Sequence, residues 1–197
     1  MKNSLYTGLI LTTTVAGISG CSNLPAQAQA GKNVLFLIVD DLRPELNCYG
    51  AEYMHTPNID KLAANSTQFN QAYCNIPVSG ASRARLFTGL RPTNERWWAV
   101  TAEIDVEAPG VTTLPEHFKN KGYITISNSK VIHGKGDASR SWTELWEPES
   151  ASATWRDYLT LNNQENEKKR NGPEAFEAAD AEDNAYIDGK TVDKTIL

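Results

Sequence analysis

Asn33-Val-Leu-Phe-Leu-Ile-Val-Asp-Asp41 is a continuous apolar run that stops abruptly at two carboxylates. A strand without polar alternation is buried on both faces, so this run is predicted to be the central parallel strand of an α/β sheet. Ligands in such sheets bind beyond the carboxyl ends of the strands, which is where Asp40 and Asp41 stand. Adjacent carboxylates repel unless something positive neutralises them, and a hard divalent cation does this well. A pair of solvated turn residues would read the same way in isolation.

The second informative stretch is Cys74-Asn-Ile-Pro-Val-Ser-Gly-Ala-Ser-Arg-Ala-Arg-Leu-Phe-Thr-Gly-Leu90. Ser79 and Arg83 are four residues apart, with small residues between them, and share one face if a helix starts here. A nucleophile in a first helical turn sits beside unpaired backbone N–H groups, which favour an anion. The stretch reads as an anion site with its own nucleophile; the alternative is a small-residue helix start followed by a surface arginine. Cys74 is a rival nucleophile, but Val78 stands four residues on from it rather than an arginine. Arg91-Pro92-Thr93 is predicted to end the helix.

Ser79-x-Ala-Ser-Arg-x-x-Leu-Phe-Thr-Gly89 resembles the type I sulfatase signature Cys/Ser-x-Pro/Ala-Ser-Arg-x-x-Leu-x-Thr-Gly. Ala81 takes the place of the commoner proline, and serine at position 79 resembles the bacterial serine-type members. Three further segments carry the resemblance. They are the Asn33–Asp41 opening, His55-Thr-Pro-Asn-Ile-Asp-Lys-Leu-Ala63, and Gly122-Tyr-Ile-Thr125 leading to Lys130 and His133. The family places Gly-Lys-x-x-His at that last point, and Ser129 here replaces its glycine. Val39-Asp-Asp-Leu-Arg-Pro44 and the Asp188-Gly-Lys-Thr-Val-Asp-Lys194 tail most resemble the iduronate-2-sulfatase-like branch.

The resemblance implies an alkaline-phosphatase-like α/β fold, with a mainly parallel central sheet flanked by helices, of which residues 33–197 would be an incomplete N-terminal part. It implies hydrolysis of sulfate esters on sulfated carbohydrate, with calcium and a formylglycine made from Ser79 by a maturation enzyme. Asp40, Asp41 and Ser79 would hold the metal. The hydrated aldehyde at position 79 would attack sulfur, Arg83 and Lys130 would neutralise charge, and His133 would assist proton transfer. The family's remaining metal and sulfate ligands come from later strands. With them missing, this chain is expected to bind calcium poorly and to turn over slowly or not at all alone.

The other segments add context. Lys2, an apolar run from Leu5 to Ile18, and Ser19-Gly20-Cys21 read as a signal peptide over residues 1–21, too short for a confident membrane span. Ile18-Ser-Gly-Cys21 resembles a bacterial lipobox, with Cys21 lipidated; ordinary cleavage after Ala28 or Ala30 is the alternative. Residues 22–32 read as a tether. The expectation is an exported periplasmic or outer-membrane lipoprotein, in contact with a membrane through its lipid only. Without Cys21, Cys48 and Cys74 remain, and nothing in their spacing pairs them or matches a metal site.

The 197 residues carry a formal net charge of −5, which argues against a nucleic-acid partner. Thr56-Pro57 starts a predicted helix through Ala64, and Thr113 to Gly122 reads as a capped helix. Phe69–Tyr73 and Tyr123–Ser127 are predicted strands. His55 reads as a loop residue and His117 as surface or helix packing. Trp97-Trp98 reads as packing or as a rim to the site. Residues 162–182 read as a solvated helix or flexible insertion, and Asp188–Leu197 as a helix cut short. Two rival functions stay open: a phosphomonoester or phosphonate hydrolase using unmodified Ser79, and a surface lipoprotein that binds sulfated glycans without cleaving them.

Overall fold

The computed structural model describes residues 31–149, 156–169 and 172–196. The signal segment, Cys21 and most of the tether lie outside them. The chain divides into two units, Met1–Leu37 and Ile38–Leu197. In the first, residues 31–37 form no helix or strand and are exposed.

The second unit is built of helices and a small two-stranded parallel sheet. The elements are α1 (Pro57–Ala63), α2 (Ser79–Thr88), α3 (Ile104–Glu107), α4 (Leu114–Asn120), β1 (Ile126–Asn128), β2 (Glu144–Trp146), α5 (Leu161–Asn166) and α6 (Ile187–Ile196). β1 and β2 pair in parallel, with Ser127 opposite Leu145. No described helix is long and apolar enough to cross a membrane.

α2 carries the core. Gly80, Ala81, Arg83, Ala84 and Phe87 are its buried residues, a stripe at helical spacing. Ala81, Ala84 and Phe87 pack with Trp97, Ala102, Ile104, Ala108 and Ala138. The helix ends at Thr88 because Gly89 turns left-handed, at φ 70°, and its N–H bonds to Arg85 O, an αL stop. Arg91-Pro92-Thr93 therefore lies beyond the actual terminator. α4 starts as its sequence predicts. Thr113 accepts from the Glu116 N–H while Glu116 reciprocates at the Thr113 N–H, a capping box. At α1, Thr56 does not cap. Its hydroxyl donates to Asp60 Oδ1 at 3.0 Å and accepts from the Asn47 N–H at 3.1 Å.

The expected strands differ more. Asn33–Val39 forms no strand among the described residues, and Val34, Leu35, Phe36 and Leu37 are exposed. A strand exists only by pairing with another backbone, and the one described ladder joins β1 to β2. Phe69–Tyr73 is likewise unpaired, with Phe69 and Tyr73 exposed. The strand expected at Tyr123–Ser127 starts later, at Ile126. Cys48 and Cys74 are free thiols.

Two carboxylates invisible in the sequence organise loops. Asp137 accepts from the Ile104 and Asp105 N–H groups at the start of α3. Burial pushes its carboxyl above the ordinary range, a push that hydrogen bonds from the backbone of Ile104 and Ala138 only partly offset. Glu177 lies in the polar stretch read as solvated. It accepts from the Leu159 and Thr160 N–H groups, the Thr160 hydroxyl, Asn163 Nδ2 and the Tyr186 hydroxyl. Burial alone would raise its carboxyl, but these donors outweigh burial and hold it at about 2.

Because the folded Glu177 carboxyl lies below its ordinary value of 4.5, its contribution is complete above that value and is lost as pH falls toward about 2. Amide protection of Leu159 and Thr160, corrected for intrinsic exchange, should drop across that window. Glu177→Gln should show weakened protection at neutral pH and no such dependence. A second expectation concerns Ser129, which is left-handed at φ 63°, a conformation costly for a side chain but open to glycine. Ser129→Gly should stabilise the fold by about 0.5–1 kcal/mol, read as a higher thermal midpoint.

Candidate active site

Ser79 is the first residue of α2, and the residue before it, Val78, has no side-chain oxygen to cap the helix. The first-turn N–H groups therefore lack a side-chain acceptor and present partial positive charge. Gly80 is buried because the Ala99–Val100 backbone crosses that turn. A Cβ on Gly80 would lie 2.0 Å from Val100 O, so only glycine fits.

One turn further along, Arg83 points inward, its side chain 5% exposed. A buried guanidinium needs partners, and it finds three. Nη2 donates to Asp40 Oδ1 at 2.6 Å, while Nη1 donates to Val131 O at 2.7 Å and Lys130 O at 3.2 Å. Lys130 Nζ donates to the other Asp40 oxygen. Partial burial alone would raise the Asp40 carboxyl. Hydrogen bonds from Arg83 and Lys130, together with their charges, outweigh it and hold the carboxyl below the ordinary range. The structure thus joins residues 40, 83 and 130, which lie far apart in the chain.

The remaining site residues are placed as follows. Asp41 is exposed and left-handed at φ 53°. His133 is half-buried, and its Nδ1 is buried without a hydrogen-bond partner among the described residues. His55 and His117 are exposed. Trp97 is fully buried and Trp98 is exposed, which assigns packing to Trp97. The carbonyls of Lys130 and Val131 and the Gly80–Val100 crossing are parts of the site that side-chain chemistry in the sequence does not announce.

The described residues contain no group of three or more His, Cys, Asp and Glu that could hold a metal. Asp40 and Asp41 fit calcium in kind, as hard oxygen donors. They do not by themselves supply the six to eight ligands that calcium takes. Both Asp40 oxygens are already engaged, so a cation bound there would share Oδ1 with Arg83 and displace or share Lys130.

An α/β chain with a serine at an uncapped helix start and a buried arginine one turn on matches the sulfatase family model over residues 32–195. It belongs to that family. Among its relatives, human iduronate 2-sulfatase is 39% identical over 137 residues, covering 67% of this chain and 24% of the relative. An ulvan-active sulfatase of Formosa agariphila is 32% identical over 131 residues, covering 66% and 26%. An N-acetylgalactosamine-6-O-sulfatase of Bacteroides thetaiotaomicron is 32% identical over 126 residues, covering 59% and 24%. The chain spans about a quarter of the length of these relatives.

Arg83 is the test of the site's construction. Arg83→Ala removes three contacts and leaves Asp40 facing Lys130 alone. The expected loss is about 2 kcal/mol, below that of a fully buried pair because Asp40 is partly exposed. Arg83→Lys keeps the charge but not the fork, and should recover less than half of it. Urea unfolding of the three proteins checks this.

Proposed function

We propose that this chain carries the nucleophile and the anion-facing cations of a sulfatase that hydrolyses sulfate esters on sulfated carbohydrate. The observation that supports this most is Ser79 on the uncapped first turn of α2, with Arg83 one turn away binding both Asp40 and the Lys130–Val131 backbone. The names of the relatives, which act on iduronate 2-sulfate, ulvan and N-acetylgalactosamine 6-sulfate, favour a sulfated glycan.

Formylglycine at position 79 would supply a more reactive attacking oxygen than a serine hydroxyl. Calcium held by Asp40 and Asp41 would supply positive charge for the sulfate oxygens. The chain's own residues do the rest. The first-turn N–H groups of α2 orient an anion at Ser79. Three of the five Arg83 N–H donors are taken by Asp40 and the Lys130 and Val131 carbonyls, so it fixes Asp40 and the Lys130 backbone. The Lys130 side chain, 45% exposed, can leave Asp40 and pair with a sulfate oxygen. His133 would move a proton at the nucleophile or the leaving alcohol. The protein is further proposed to be exported and anchored through lipid on Cys21, and to meet a formylglycine maturation enzyme on the way.

Peptide mass spectrometry tests the nucleophile. The tryptic peptide Leu62–Arg83, from a host carrying a serine-type maturation enzyme, should lack two hydrogens at Ser79. Intact serine in that host would remove the formylglycine chemistry and favour phosphoester hydrolysis or glycan binding at the same site.

A further inference from the structure

Trp97 is fully buried yet left-handed, at φ 61°. For a bulky aromatic residue this is an outlier, and such strain persists only where surrounding contacts fix it. Two contacts do so here. The Trp97 N–H donates to the Glu107 carboxylate, and the Arg96 guanidinium lies 5.0 Å from the Trp97 ring centre. The turn sends Trp97 into the core and Trp98 outward.

Trp98 is 58% exposed, but it is not loose. Its indole N–H donates to Thr93 O, and Thr93 and Arg96 close the turn beneath it with reciprocal backbone bonds of 3.1 and 3.2 Å. One residue further on begins the Ala99–Val100 backbone that lies on Gly80, in the first turn of α2 beside Ser79. An indole ring with its N–H already bonded presents a flat apolar face. Such a face suits the C–H side of a pyranose ring, whose hydroxyl and sulfate groups lie around its edge.

We infer that Trp98 is a stacking platform for a sugar ring of the sulfated carbohydrate, next to the sulfate held at Ser79. It would set specificity for carbohydrate over simple sulfate esters. The inference rests on the proposed sulfatase function and adds the substrate contact that function leaves open.

The test uses the full chain with unmodified Ser79, so that binding is read without turnover, in calcium-containing buffer. Inorganic sulfate and a heparin-derived sulfated disaccharide are titrated by calorimetry. Trp98→Ala should weaken the disaccharide about five- to tenfold and leave sulfate within about twofold. Trp98→Phe, which keeps a ring, should restore most of the loss. Equal disaccharide affinity in wild type and Trp98→Ala overturns the platform while leaving the sulfatase reading intact. Parallel loss of both probes in Trp98→Ala overturns it as well, since that marks a structural role. Failure of the wild-type chain to bind the disaccharide overturns the platform, while the mass of the Leu62–Arg83 peptide tests the proposed function separately.

Discussion

A single buried charge holds this structure's site together. The Arg83 guanidinium is almost wholly removed from water, which is tolerable only because its charge is paired and its Nη1 and Nη2 are hydrogen-bonded. The partners that satisfy it come from two other parts of the chain: the end of the apolar run at Asp40, and the turn after β1 at Lys130 and Val131. Taking α2 as the rigid element, Arg83 fixes where the other two segments must lie. It also divides labour between the cations. Arg83 is committed to the frame, whereas Lys130 has its backbone pinned and its side chain partly in solvent, so only Lys130 can change partners at little cost.

What could be read in the sequence follows from the range of the forces involved. The α2 stripe, its glycine stop and the Thr113–Glu116 capping box are decided within a few residues, so local pattern reveals them. Asn33–Val39 reads as a strand because of its composition, yet strand pairing depends on backbone elsewhere, and the described residues offer it none. The roles of Asp137 and Glu177 were hidden for the same reason. Their donors lie up to 33 and 18 residues away, and a carboxylate in a polar stretch looks solvated until the chain folds back on it. Trp97 and Trp98 are identical in type and adjacent, so only the left-handed turn between them separates core from surface.

Ser129 shows a middle case. The family pattern has glycine there, and the sequence alone says only that serine departs from it. The left-handed backbone at φ 63° explains why glycine suits the position and what the serine costs. The turn survives because its neighbours are tied down: the Ser129 N–H reaches Trp146 O at 2.8 Å, and the next two carbonyls hold Arg83. The placement of Lys130 therefore comes from those anchors, more than from the intrinsic preference of the turn.

The charges of the cluster bear on how an acidic chain could hold an anion. Asp40 and Asp41 against Arg83 and Lys130 sum formally to zero, two negative and two positive. A neutral cluster gives a sulfate ester little net attraction, and the first-turn N–H groups of α2 supply only fractional charge. Two changes would create a positive site. Lys130 can leave Asp40 for the sulfate, which exposes the Asp40 carboxylate. A divalent cation held by Asp40 and Asp41 would add two positive charges and bring the assembly to a formal charge of +2.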